Sequence, residues 1–198
     1  QQLTSEGKVN QICDRPGEDT AVVDPAGLPY VSGEKRPGQA GAASRSIYVW
    51  CGLEAQEAFP KDVKDTITEP GKAKFHSYEV GGSRSRRNAI HVVGPDFRQR
   101  PYSDLEAINT LSDTYANVLR EVALTPASIR TIRMLPISGG VFLGDFKSDL
   151  THMTICALKN GFERLSPEEQ GRVLEKDVQM CIFLASELPT FERAHTFA

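Results

Sequence analysis

The sequence is poor in the residues from which metal centres and disulfide frameworks are built. Its four cysteines stand far apart at Cys13, Cys51, Cys156 and Cys181, and its four histidines at His76, His91, His152 and His195. No CxxC pair and no HExxH helix occurs, so zinc has no ligand set of the usual spacing and no metal is expected. The thiols read as reduced and the protein as intracellular, cytoplasmic or nuclear. No apolar run is long enough to cross a bilayer. Gln1-Gln2-Leu3-Thr4-Ser5-Glu6 has neither the basic start nor the apolar centre of a signal peptide. A cationic surplus is missing too: 23 basic residues meet 26 acidic ones, a formal net charge of −3. A general nucleic-acid clamp needs the opposite balance. The familiar glycine motifs are also absent. Without GxxxxGK[ST] there is no P-loop. Without GxGxxG after a strand there is no common dinucleotide fingerprint, and without GxSxG no α/β-hydrolase elbow.

What is present is the composition of a globular domain: 198 residues, 39% hydrophobic and 25% charged. That length builds one core, and residues 1–198 read as a single domain. Strand patterns fall at Lys8–Cys13, Asp19–Val23, Lys74–Val80, Asn88–Val93, Ile129–Leu135 and Val178–Leu184. Of these, Asp19–Val23 is ended by Asp24-Pro25, Lys74–Val80 suits a sheet edge, and Val178–Leu184 reads as a buried closing strand. Helical patterns cover Ala42–Leu53, with Ala43, Ile47, Trp50 and Cys51 on one face, and Asp149–Phe162. Ser103 and Glu106 form a capping box that opens a helix with Leu105, Ile108, Leu111, Tyr115, Leu119 and Val122 along one stripe. Ser166-Pro167-Glu168-Glu169 opens another, and Thr190–Phe197 a short last one. Glu54–Gly71 holds a helix and then a turn at Pro70-Gly71, while Gly27–Gly41 and Gly81–Arg87 read as loops. Strands and helices alternate, and strands such as AVV and AIHVV are apolar without a break. The pattern predicts an α/β fold, a three-layer α/β/α sandwich around a mixed, largely parallel sheet.

In such sheets ligands bind beyond the carboxyl ends of the strands. Asp24-Pro25-Ala26-Gly27, Gly94-Pro95-Asp96-Phe97 and Ile137–Gly144 follow strands, and Pro37-Gly38-Gln39-Ala40-Gly41 leads into a helix. Two of these segments are glycine-rich and read as feeding helices. Glycine lets backbone N–H groups approach an anion closely, and a helix N-terminus adds partial positive charge. One such loop alone reads as a tight turn. Two at the ligand-binding edge read as a cradle for a pyrophosphate that needs no lysine.

These segments, in this order, resemble the macro domain, a family that binds ADP-ribose and in which some members hydrolyse ADP-ribose linkages. Ala89-Ile90-His91-Val92-Val93-Gly94-Pro95 is similar to the family's IHTVGP strand end. Leu135–Phe142 (LPISGGVF) is similar to its ISTGVF loop, with Gly139 where threonine is usual. Val22–Gly27 stands where a VNAAN loop belongs, and Pro37–Ala42 where a GGGV loop belongs. The resemblance implies that Ser138, Gly139, Gly140, Val141 and Phe142 wrap the diphosphate and distal ribose, with Phe142 as an apolar wall. It implies that Asp14 meets the adenine amino group, with Asp19 as rival, and that Asp24, Gly27, Gly38, Gln39, Ala40 and Gly41 complete the pocket. The implied partner is ADP-ribose or an ADP-ribosylated protein, bound by a monomer without cofactor, membrane or nucleic acid.

The departures bear on catalysis. Gly27 replaces the last Asn of VNAAN, Asp24 the first, and Ala40 falls near the family's Asp, so the groups that position an attacking water are missing at those places. Glu34 and Gln39, in the same loop, are the substitutes at hand. No catalytic residue is assigned. Three readings therefore stand beside one another: a binder of ADP-ribose or a related nucleotide diphosphate, an ADP-ribosyl hydrolase, and a degenerate fold serving as a protein or RNA interaction module. The last is favoured if Arg36 or Glu34 fills the pocket. His91, inside an apolar strand, reads as a satisfied core histidine rather than a base, and His152 likewise. Arg84, Arg86 and Arg87 read as a solvated loop.

Overall fold

The computed structural model describes residue 3, residues 12–81 and residues 85–196. The strands are β1 (Thr20–Ala26), β2 (Ala73–Glu79), β3 (Arg86–Val93), β4 (Thr131–Met134) and β5 (Asp177–Met180). They form one sheet in the order β2-β3-β1-β4-β5. β1, β3, β4 and β5 run parallel, and β2 runs antiparallel to β3 at the edge. The helices are α1 (Leu28–Ser32), α2 (Ala42–Cys51), α3 (Lys61–Thr66), α4 (Asp104–Leu124), α5 (Leu150–Glu163), α6 (Pro167–Leu174) and α7 (Leu188–Thr196).

The central strands are apolar on both faces because both faces are covered. Ala21, Val23, Ile90, Val92, Ile132 and Met134 pack with Leu111, Tyr115, Leu119 and Val122 of α4 and Met153 and Ala157 of α5. On the other face Val22, Ala26, Ala89 and Val93 pack with Ile47, Tyr48 and Cys51 of α2 and Val63 of α3. The α/β three-layer arrangement with a mixed, largely parallel sheet is thus what the alternating pattern predicts.

Several boundaries differ, each for a local reason. β1 does not stop at Asp24-Pro25 but runs to Ala26 against β3. Its pairing with β4 ends at Val23, so the N–H that Pro25 lacks is not needed on that side. The closing strand ends at Met180 rather than Leu184. Its partner β4 gives its last carbonyl, that of Met134, to the Cys181 amide, and then turns at Pro136. That strand is half-buried, not enclosed. Of the predicted first strand, Lys8–Gln11 lies outside the described residues, and Ile12 and Cys13 are not in a strand. Arg86 and Arg87 begin β3 instead of ending a loop, and Arg84 lies outside the described residues. Arg87 stacks on Trp50 at 5.9 Å, and Arg86 pairs with Glu79 at 3.5 Å.

Ser103 caps α4 by accepting from the Glu106 amide at 3.4 Å, but the Glu106 carboxylate turns to Arg100 at 2.6 Å instead of closing the box. At Ser166 the box closes in both directions. Leu105 is exposed, and the buried stripe of α4 starts at Ala107. His152 is no core residue. The buried face of α5 carries Met153, Thr154, Ala157 and Gly161, and His152 sits ~140° around the helix from Ala157, exposed and within 3.7 Å of Cys156 Sγ.

Cys13, Cys51 and Cys181 are buried thiols, and Cys156 is half-buried. Burial raises the Cys51 and Cys181 thiols above their ordinary range. Iodoacetamide is therefore expected to modify the native protein at Cys156 alone, and all four sites after unfolding. Mass spectrometry showing Cys51 or Cys181 alkylated before unfolding would contradict this packing.

Candidate functional site

The carboxyl end of β1 is the focus of the loops. β1 lies between β3 and β4, and it outruns β4: its register with β3 reaches Ala26↔Val93, while its register with β4 stops at Val23↔Met134. Two loops flank the notch this leaves. On one side the Ser44 hydroxyl, in the first turn of α2, donates to the Pro25 carbonyl at 3.1 Å, which sets the start of α2 against the end of β1. On the other side the loop after β4 is stitched to the loop after β3. The Ser138 hydroxyl donates to the Pro95 carbonyl at 2.7 Å, and the Phe97 amide to the Phe142 carbonyl at 2.9 Å. Glycine is required at position 94 for this approach, since a Cβ there would stand 2.8 Å from Ile137 Cγ2.

Both loops present unsatisfied backbone donors. The amides of Gly41, Ala42 and Ala43 open α2, which has no side-chain cap, and they donate to no acceptor among the described residues. The amides of Gly140, Val141 and Phe142 are in the same condition. Both loops also carry local strain. Among the described residues the non-glycine positions with left-handed backbone are Asp14 (φ 43°), Ala42 (φ 51°) and Ser138 (φ 57°). Such a conformation costs on the order of 1 kcal/mol for a residue with a Cβ, and it concentrates where geometry serves a site. All three positions lie in, or next to, segments the sequence marks for ligand binding.

The second glycine loop does not feed a helix directly. Residues 139–149 make successive turns and α5 begins only at Leu150, so Gly140–Phe142 offers amides without a helix dipole behind them. The first loop does lead into α2, through a short 3₁₀ turn at Pro37–Gln39 and its N-cap Gly41.

The structure separates the expected site residues into groups. Gly41, Gly140 and Val141 are exposed, and Phe142 is half-buried. Gly139 and Ala40 spend their amides locally, on the carbonyls of Pro136 and Pro37. The Ser138 hydroxyl is committed to Pro95, and Gly38 packs against the Glu54 carbonyl. The Gln39 side chain is turned back to accept from the Arg36 amide at 3.0 Å. Gly27 caps α1 beneath the Tyr30 ring, whose hydroxyl reaches the Gln39 carbonyl at 3.3 Å. Glu34 accepts from Ser32 at 3.2 Å, and Arg36 pairs with Glu57 at 2.9 Å, both exposed. Asp14 is exposed, and its carbonyl takes a hydrogen bond from Arg133. The rival Asp19 is misplaced: its carbonyl accepts from Arg130 and Thr131 at the amino end of β1, about 20 Å along the strand from the notch.

Asp24 is a correction. It has no exposed surface, so it cannot touch a ligand in the notch. Its carboxylate turns under the sheet to His91, opposite it in the β1–β3 register, with Oδ2 2.7 Å from Nδ1. His91 Nε2 meets the Tyr78 hydroxyl at 2.8 Å. Phe59 closes over the imidazole with centroids 5.1 Å apart, and Tyr48 lies beside Asp24. Burial holds the Tyr78 phenol well above its ordinary range. It does the same for Tyr48, with the Asp24 charge adding to the effect. Tyr78 and Asp24 thus occupy both ring nitrogens of His91. His91 is the satisfied core histidine the sequence suggests.

A rim residue not singled out by the sequence motifs is Arg98. Asp96 accepts from its Nε at 2.8 Å and Nη2 at 2.7 Å, and the guanidinium lies over the Phe142 ring at 5.3 Å. The Arg98 hydrogen bonds in turn hold the Asp96 carboxyl below its usual range. Nearby, Arg100 stacks on Tyr102 at 3.8 Å. The available signal was the spacing Asp96-Phe97-Arg98 directly after Gly94-Pro95.

No family model matches the sequence, and no curated protein is similar to it in sequence. Solved structures are similar in fold. The Oceanobacillus iheyensis macrodomain with ADP superposes with a TM-score of 0.58 at 17% identity, over 96% of this chain and 87% of that one. The Trypanosoma brucei macrodomain in complex with ADP-ribose gives 0.50 at 17%, over 88% and 62%. An alphavirus P23pro-zbd gives 0.54 at 23%, over 93% of this chain and 22% of that much longer one. The chain has the macrodomain fold, in a divergent sequence.

Proposed function

We propose that this chain binds ADP-ribose, or a related nucleotide diphosphate, in the notch at the carboxyl end of β1. The observation that carries the reading is the pair of flanking loops with unbonded amides, Gly41–Ala43 and Gly140–Phe142, the first containing the left-handed Ala42 and the second following the left-handed Ser138. Backbone amides at a helix start and in a turn are anion donors, and two sets across one notch suit a diphosphate. The similar folds crystallised with ADP and with ADP-ribose support the same reading.

Binding is favoured over hydrolysis. Gly27 and Ala40 carry no group that can position a water, Gln39 is turned back on its own loop, and Asp24 is enclosed. Orientation of substrate without a positioned nucleophile gives affinity but little rate. The scaffold reading gains no support, since Arg36 is paired with Glu57 and Glu34 accepts from Ser32. The ligand is ADP-ribose, free or attached to protein. Among the described residues no helix is long and apolar enough to cross a membrane.

Titration calorimetry with ADP-ribose tests the proposal. Saturable binding near one equivalent is expected, with stabilisation of about 2.7 kcal/mol when free ligand is a hundred times the Kd. Absence of heat and of any thermal shift at millimolar ligand would sink it.

A further inference from the structure

We infer that Arg98 supplies the cationic contact to the phosphate held by the Gly140–Phe142 amides, and that it biases the notch toward nucleoside diphosphates over monophosphates. The inference rests on the ligand reading above. Residues 37–42 and 138–144, the two loops that flank the notch, contain no lysine or arginine. Neutral amides alone leave a doubly charged diphosphate without a counter-charge. The loop after β3 brings one. Its Phe97 amide is bonded to the Phe142 carbonyl, and the next side chain, Arg98, lies over the Phe142 ring at 5.3 Å.

The guanidinium is fixed before any ligand arrives. Asp96 takes Nε and Nη2, and the ring supports one face. That leaves Nη1 with no partner among the described residues, on a side chain that is 52% exposed. The Asp96 carboxylate behind it is only 15% exposed, so the cation, not the anion, faces outward. A planar, pre-positioned fork with a free edge suits a phosphate oxygen and loses little entropy on binding. Other cations nearby are spent. Arg100 gives Nη1 to the Pro101 carbonyl and Nη2 to Glu106, and Arg36 is held by Glu57. ADP and ADP-ribose span both amide sets and so always present a phosphate to Arg98. AMP has a single phosphate and can satisfy the α2 end alone.

The test is calorimetry of the parent, Arg98→Gln and Arg98→Lys with ADP-ribose, ADP and AMP at two salt concentrations. Arg98→Gln is expected to weaken ADP-ribose and ADP by about tenfold or more, to change AMP by a smaller factor, and to flatten the salt dependence of ADP binding. Arg98→Lys is expected to fall between, keeping charge without the fork. The melting temperature of Arg98→Gln, a surface change, should match the parent. Unchanged ADP-ribose affinity in Arg98→Gln, or an equal loss for AMP and ADP, overturns the role of Arg98 and leaves the ligand reading intact. A parent that binds none of the three overturns both.

Discussion

Gly140→Glu is expected to lose ADP-ribose affinity by about a hundredfold or more while melting within a degree or so of the parent. Position 140, like Gly41 and Gly171, is permissive. A Cβ built there meets no atom within 4 Å, the residue is exposed, and its backbone is not left-handed. The fold therefore has no reason to resist a side chain. The ligand does. Each charge-assisted amide–phosphate hydrogen bond is worth roughly 1.5–3 kcal/mol, and a carboxylate placed in the amide set both blocks it and repels a diphosphate. Every ~1.4 kcal/mol is a factor of ten, so losing one bond and adding repulsion reaches the stated range. Gly140→Ala separates the two contributions. It adds bulk without charge and is expected to lose far less. Retention of full affinity by Gly140→Glu, with the fold intact, would place the ligand elsewhere.

The same comparison shows what kind of information the sequence carries. Elements with a strong local signature were legible: the apolar run at Asn88–Val93, the face of α2 with Ile47, Trp50 and Cys51, and the capping serines at 103 and 166. These depend on spacing within one segment. What depends on two segments was not. The end of β5 is set by where β4 stops giving carbonyls, and that follows from Pro136 in another part of the chain. The fate of the Glu106 carboxylate depends on Arg100 reaching it first. The glycine loops were recognisable, but which of their amides remain free is decided by local turns that consume those of Gly139 and Ala40. For Arg98 the one signal was its place just after Gly94-Pro95. Its position follows from the Phe97–Phe142 hydrogen bond, a contact between residues 45 apart in the chain.

Asp24 is the instructive error, and its replacement has the largest expected effect on stability. A carboxylate in the apolar stretch Ala21–Ala26 needs either a ligand-facing position or a buried partner, because an unpaired buried charge is prohibitive. The motif order argued for the first. Strand register supplies the second: β1 and β3 are parallel, the apolar runs Ala21–Ala26 and Ala89–Val93 each carry one titratable residue, and the register sets Asp24 opposite His91. Asp24→Ala removes the partner of His91 Nδ1 and leaves that nitrogen among Phe59, Tyr48 and Tyr78. Leaving one buried polar group unsatisfied costs about 1–3 kcal/mol, and the cavity left by the carboxylate adds to it. For a chain of this size that is a fall in Tm on the order of 10 °C. The double variant Asp24→Leu with His91→Leu removes both polar groups together, and it is expected to be more stable than Asp24→Ala because no orphaned group remains. ADP-ribose affinity, measured well below the melting point, should survive in Asp24→Asn, which keeps the shape and an acceptor oxygen. The opposite pattern, stability within about 1 kcal/mol of the parent for Asp24→Ala together with lost affinity in Asp24→Asn, would return this carboxylate to the ligand and displace the buried pair as its role.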